Sequence, residues 1–208
     1  FGMTVAPRLL LVGGGGHCRS VLDVLETTPV RVAGIVDNNS ELREVLGVSV
    51  LGKDDDLEEL RSQYSTALVT VGQIESSDVR RLLFQRLRKI GYSLPVVCST
   101  LAHVSPWARI GDGTVIMHFA LINAGAQVGE NSIINTRALV EHDVVVGDHC
   151  HISTGAVLNG GVNIGQGVFI GSGTLVREGV RIGDGCVVGM GSVIRHDVPA
   201  HTVIKGVA

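Results

Sequence analysis

From Val104 onward, every sixth residue is a branched aliphatic. The series runs Val104, Ile110, Ile116, Ile122, Val128, Ile134, Val140, Val146, Ile152 and on through Val188 to Ile194, sixteen positions without a break. Two residues before each stands a small or β-branched residue, as at Ala102, Ala108, Thr114, Ala120 and Cys150. A slower beat is carried by Gly111, Gly129, Gly147, Gly165 and Gly183, eighteen residues apart. Such a fixed period describes a solenoid. Each hexad supplies one short strand and a corner, and three hexads make one triangular coil. Coils stack about 4.8 Å apart, the spacing of paired strands. Sixteen hexads give a little over five coils of a left-handed parallel β-helix of the hexapeptide-repeat type. The large aliphatic points inward, and glycine or asparagine supplies corners that need positive φ or close backbone approach. A prism this narrow has no room for rings. The 208-residue chain accordingly has 28 glycines and only seven aromatic residues, although 45 % of it is hydrophobic.

Residues 1–98 follow another rule. Leu9–Val12 reads as a buried strand, followed by the run Gly13-Gly14-Gly15-Gly16-His17 and a helix from Arg19 to Glu26. A second strand, Arg31–Val36, ends at Asp37-Asn38. A helix is expected over Asp54–Gln63, a strand over Ala67–Val71, and an amphipathic helix over Ser77–Ile90, capped by Ser76-Ser77-Asp78. Alternating strand and helix implies a parallel sheet in a small Rossmann-like α/β domain. Leu94–Ala102 is read as the connection, so that residues 1–98 and 99–208 form two domains.

Bulk properties exclude several classes. Seventeen basic and twenty acidic residues give a net charge of −3 without a basic stripe, which argues against nucleic acid as a partner. No apolar run reaches the ~18 residues of a membrane span, and a cytoplasmic location is expected. Phe1-Gly2 before Met3 reads as a cloning remnant. Cys18, Cys98, Cys150 and Cys186 have no CxxC spacing, so neither a disulfide framework nor a zinc knuckle is indicated.

Two places invite chemistry. The glycine run lies between a strand and a helix, where helix N-terminal amides attract anions. The dinucleotide fingerprint would need glycine at 13, 15 and 18, and position 18 is cysteine. A nucleoside diphosphate fits better than NAD, with Gly13, Gly15 and Gly16 at the phosphates and Asp37 or Asn38 available to a ribose or base. The competing reading is a turn required only for packing. The second place is Glu141-His142-Asp143, at a solenoid corner two residues past Val140. A neighbouring carboxylate can fix the tautomer of His142 and stabilise its imidazolium. One coil later the equivalent position is Gly160, a bare stretch of backbone where a slender ligand can lie and an amide can reach a thioester oxygen. The competing reading is a solvated surface histidine. His142, His149 and His151 form the nearest approach to a metal cluster, but no third ligand is placed and no metal is expected.

These segments resemble a known family. The segments Leu11-Val12-Gly13-Gly14-Gly15-Gly16-His17, Asn135-Thr136, Val140-Glu141-His142-Asp143 and Gly147-Asp148-His149-Cys150-His151-Ile152-Ser153 are similar to the bacterial sugar acetyltransferases that N-acetylate nucleotide-linked 4-amino-4,6-dideoxy sugars of bacillosamine and perosamine type. The ending Asp197-Val198-Pro199-Ala200 to Lys205-Gly206-Val207 resembles that family's exit from the β-helix. Sialic-acid O-acetyltransferases are close relatives. The resemblance implies acetyl-CoA as co-substrate, a UDP- or GDP-linked amino sugar as acceptor, and a homotrimer with sites between subunits. It further implies His142 as general base and Asp143 as its orienting partner. It places the Gly160 amide on the thioester carbonyl oxygen, Asn135 and His151 against acetyl or sugar groups, and His17 and Asp37 near the nucleotide sugar. Sugar O-acetylation is the alternative within this class, and a zinc-dependent hydratase or lyase on the same solenoid is the alternative outside it.

Overall fold

The computed structural model describes residues 8–206. Phe1-Gly2 at the front, and Val207 of the expected β-helix exit, lie outside them. The chain forms two compact units. One contains residues up to Gly72 together with Val79–Pro95, and the other contains Gln73–Asp78 together with residues from Val96 onward.

The first unit is a five-stranded sheet with helices. Its elements are β1 (Arg8–Val12), α1 (Gly16–Glu26), β2 (Arg31–Val36), β3 (Glu44–Val45), β4 (Val48–Gly52), a 3₁₀ turn at Asp54–Asp56, α2 (Leu57–Leu60), β5 (Thr66–Val69) and α3 (Asp78–Ile90). Strand order is β3-β4-β2-β1-β5. The β4-β2-β1-β5 neighbours pair in parallel, and β3 pairs antiparallel with β4. Leu9–Val12 is wholly buried, as an uninterrupted apolar run in a parallel sheet should be. One expectation is corrected and one element is new. The helix expected over Asp54–Gln63 is only a 3₁₀ turn and a four-residue α2, with three consecutive aspartates forming the turn. The segment after Asp37 carries the β3–β4 hairpin, whose two-residue turn puts Leu46 at φ 50° and Gly47 at φ 81°.

The second unit is the left-handed β-helix of hexapeptide repeats. All sixteen aliphatic positions from Val104 to Ile194 are the second residue of a two-residue strand. The strands form three parallel sheets of seven, six and five, with residue i paired to i+18 throughout the regular coils. The first face begins at Val97–Cys98, the second at His103–Val104 and the third at Arg109–Ile110. The inward aliphatics and the small residues beside them share one continuous core, in which Ala126, Val144, Cys150, Ala156 and Cys186 have no exposed surface.

The corners separate two roles of glycine. Positive φ recurs every six residues, from Gly113, Phe119 and Gly125 to Gly185 and Gly191. Most of these positions are glycine, but Phe119, Asn131, Arg137, Asp143 and His149 adopt the same left-handed conformation. The eighteen-residue beat is a different matter. A Cβ on Gly111 would lie 2.5 Å from the Glu130 nitrogen, and one on Gly147 would lie 2.7 Å from the Gly165 carbonyl carbon. Those glycines are needed because adjacent coils stack too closely there for any side chain.

Candidate functional site

The His142 corner lies between the second and third faces. Asp143, at φ 58°, is one of the non-glycine residues in the left-handed conformation, a strain of roughly 1–2 kcal/mol that aspartate tolerates better than most. That backbone turns its carboxylate to His142: Nδ1 of the ring is 3.0 Å from Asp143 Oδ2. A carboxylate only accepts, so Nδ1 carries the proton and Nε2 keeps its lone pair. The side chains are 65 % and 73 % exposed, so solvent reaches them freely. The hydrogen bond to Asp143 raises the His142 pKa above 6.5; partial desolvation opposes it, and the charges of Asp143 and Glu141 add to it.

Glycines flank the pair on both adjacent coils. A Cβ on Gly125 would lie 2.5 Å from Asp143 Oδ1, and one on Gly160 would lie 2.6 Å from His142 Nε2. The lone pair of the base therefore sits directly over the Gly160 backbone. Glu141 fixes the corner from beneath, its Oε2 accepting from Asn123 Nδ2 at 2.8 Å and from the His142 amide at 3.1 Å. Amides at some equivalent corner positions are satisfied by side chains, Glu130 N by Asp148 at 2.7 Å, Thr136 N by Asn135 at 2.7 Å and Gln166 N by Asp184 at 2.8 Å, whereas those of Ala124, Asp148 and Thr154 have no acceptor among the described residues. Among the described residues the Gly160 amide has no acceptor. A half-buried donor without a partner, beside the nitrogen of a base, matches an oxyanion-stabilising arrangement.

His151 and Asn135 lie on and beside the first face. His151 is 8 % exposed. Its Nδ1 donates to the Gln73 carbonyl at 2.6 Å, which fixes the tautomer, and its Nε2 accepts from Asn135 Nδ2 at 3.0 Å. Both ring nitrogens are thus engaged by protein groups, and the ring packs edge-on against Phe169 at 5.3 Å. Asn135, half-buried, retains a second Nδ2 hydrogen, so the donor available to a ligand belongs to Asn135. His149 stands at another corner, 2.9 Å from Asn131. His142 and His149 stand at different corners and His151 on the first face, and among the described residues no three potential metal ligands converge.

In the first unit the glycine run divides into two pairs. Gly13 has φ +105°, and a Cβ there would lie 2.5 Å from Val71 Cγ2; Gly14 is buried against Ile35 and Asp37. Packing accounts for both. A Cβ added to Gly15 or Gly16 would meet nothing within 4 Å, so packing leaves their bareness unexplained. Both are exposed, at the start of α1, whose N-cap Gly15 provides no side-chain cap. The loop is tied down by Asp37, which accepts from the Gly14 amide at 2.6 Å and the Asn39 amide at 2.8 Å, and by Thr70, whose hydroxyl donates to the Gly13 carbonyl at 2.6 Å. His17 is half-buried in the first turn of α1. Asn38 pairs with Asp54 at 2.8 Å. Cys18, where the dinucleotide fingerprint requires glycine, is fully buried, and burial pushes its thiol pKa up. A cavity of ≈ 240 Å³ opens beside Asp37 and is bordered by Arg43 and Lys53. These two cations were not legible in the sequence, since the hairpin that brings them there carries no periodic signal. Among the described residues no helix is long and apolar enough to cross a membrane.

Comparison with known proteins bears on both units. Residues 8–87 match the PglD N-terminal domain, and residues 125–160 and 161–196 match the bacterial transferase hexapeptide repeat. Perosamine N-acetyltransferase from Caulobacter crescentus, solved with CoA and GDP-perosamine, is 36 % identical with a TM-score of 0.90, over 96 % of this chain and 94 % of that one. The acetyltransferase domain of PglB from Neisseria gonorrhoeae, solved with acetyl coenzyme A, is 32 % identical with a TM-score of 0.88, over 95 % of both chains. WeeI from Acinetobacter baumannii is 25 % identical with a TM-score of 0.85, over 96 % of both. No curated protein matches the chain. With both domain types matched in this chain and full-length likeness above 30 % identity to two solved acetyltransferases, the chain belongs to the hexapeptide-repeat sugar acetyltransferases with a PglD-type N-terminal domain.

Proposed function

We propose that the protein transfers the acetyl group of acetyl-CoA to the 4-amino group of a UDP- or GDP-linked amino-deoxy sugar. The observation that carries this reading is the His142 corner: a tautomer-fixed base whose Nε2 lies over Gly160, beside an amide without an acceptor. Relatives of this architecture have been solved with CoA, acetyl-CoA and GDP-perosamine, and the perosamine enzyme also in histidine-substituted forms.

In the reaction the sugar amine nitrogen bonds to the acetyl carbonyl carbon, the C–S bond breaks, and CoA departs as thiolate. His142 Nε2 takes the proton shed by the nitrogen, and Asp143 stabilises the resulting imidazolium. The Gly160 N–H donates to the thioester oxygen as negative charge grows on it. Asn135 offers its remaining N–H to acetyl or sugar groups, with His151 holding its amide in place. Gly13, Gly15, Gly16 and His17 surround the phosphates, with Asp37 ordering the loop and Asn38 at its rim. We assign nucleotide recognition to residues 1–98 and acyl transfer to residues 99–208.

We further infer a cytoplasmic homotrimer. Four free cysteines suit a reducing compartment. The second face turns outward an in-register row of Leu121, Leu139, Val157, Leu175 and Val193, an apolar strip suited to a partner subunit. The test is thiol release from acetyl-CoA, screened over amino-sugar nucleotides with uridine, guanosine and cytidine bases. Release dependent on one amino-sugar nucleotide supports the reading; release only with hydroxyl acceptors would transfer it to O-acetylation, and no release with any acceptor overturns it.

A further inference from the structure

The backbone carbonyl of Gln73 orients His151, yet the side chain of Gln73 bonds to nothing. The residue is 3 % exposed, and Oε1 and Nε2 of its carboxamide are both shielded from solvent without a hydrogen-bond partner among the described residues. A buried amide in that state loses its hydration and gains no bond in return, so it weakens the fold unless a further group comes to meet it. The segment that carries it is anchored. Gln73–Asp78 belongs with the β-helix. Its carbonyl accepts from His151 Nδ1 at 2.6 Å, and Ser77 packs over the bare Gly167, with Oγ 2.9 Å from the Cβ position there.

Gln73 stands beside groups already assigned to substrate. His151 links the Gln73 carbonyl on one side to Asn135 Nδ2, at 3.0 Å, on the other. Asn135 brings only a donor to this chain of residues, because its Oδ1 accepts from the Thr136 amide at 2.7 Å. The Gln73 amide adds both a donor and an acceptor. The chemistry of a matching group follows. A thioester carbonyl only accepts and would leave Oε1 orphaned, and the reacting amine must keep its lone pair for attack. A hydroxyl donates and accepts, and so satisfies both amide atoms. On a 4-amino sugar the hydroxyl nearest the reacting nitrogen is the one on C3. Gln73 packs at the first face and His142 stands at the corner between the second and third. One substrate therefore meets both only across two copies of the chain, as the trimer inferred above allows.

We infer that Gln73 is a specificity residue for the acceptor, its carboxamide reading the C3 hydroxyl beside the reacting amine of the nucleotide-linked sugar. This rests on the acetyl-transfer reading above. The test uses Gln73→Met, which keeps the length of the side chain and removes its polar atoms. Its melting temperature is expected to rise by about 2–4 °C, since an orphaned amide leaves the interior of a chain of this size. Its acceptor KM is expected to rise about tenfold while the acetyl-CoA KM stays at the parent value, a split that a merely structural role would not produce. With the 3-deoxy acceptor the parent should lose at least about tenfold in kcat/KM, because a site built for a hydroxyl rejects an acceptor lacking it. Gln73→Met should treat the two acceptors alike. A lowered melting temperature, an unchanged acceptor KM, or equal discrimination in parent and variant would overturn the proposal. Calorimetric titration with UDP- and GDP-linked 4-amino sugars separates this from the broader reading. A parent that binds one of them more tightly than Gln73→Met does, yet releases no thiol from acetyl-CoA, sinks the proposed function alone. A parent that binds neither sinks both.

Discussion

The chemistry assigned to this protein rests on a few atoms at one corner. Asp143 orders the His142 ring and raises its pKa, so the unprotonated base becomes available only as pH rises through a value above 6.5. The acid limb of kcat/KM should therefore lie above pH 6.5, and Asp143→Asn should move it downward by removing both the acceptor and its charge. A limb unmoved in Asp143→Asn, followed by full pH profiles, would detach Asp143 from the base. Gly160 serves two neighbours at once. Because its Cβ position is 2.6 Å from Nε2, Gly160→Val should displace the imidazole as well as obstruct the thioester. Steady-state kinetics should then show kcat falling at least tenfold, in line with loss of a base, together with a higher acetyl-CoA KM. A change in KM alone would mean that His142 does not sit where the structure places it.

At the scale of elements, the solenoid was legible because each rung repeats one rule: an inward aliphatic, preceded by a small neighbour and followed by a corner. The corner chemistry was only half legible. The eighteen-residue glycine beat stands out in the sequence, yet the conformational demand for positive φ runs on a six-residue beat that Phe119, Asn131, Arg137, Asp143 and His149 conceal. Substituting glycine where no side chain is used should relieve that strain. Arg137→Gly is expected to stabilise the protein by about 1 kcal/mol, less than the full left-handed penalty because glycine loosens the unfolded chain. A lowered melting temperature would contradict this. The α/β unit was less legible where contacts are distant in sequence. Asp37 was visible at the end of a strand, but its bond to Gly14 was not. The β3–β4 hairpin that brings Arg43 and Lys53 to the same cavity is too short for a period to show. Gln73, which orients His151 across 78 residues of sequence, has no local signature at all.

At the scale of the whole molecule, the same repeat that builds the core also leaves one face apolar. Leu175 and Val193 are 46 % and 55 % exposed on the second face. If that strip meets a partner subunit, sedimentation of the parent should give a trimer, and Leu175→Glu should shift it toward monomer with loss of acetyl transfer. A parent that sediments as a monomer would rule the trimer out. The role of His142 as the base is central and can be tested alone. The measurement is the turnover of His142→Ala in the thiol-release assay, with folding checked by its melting temperature. A fall of about 10²–10⁴-fold in kcat is expected, the usual contribution of a general base, at an unchanged melting temperature. Turnover near that of the parent would contradict it.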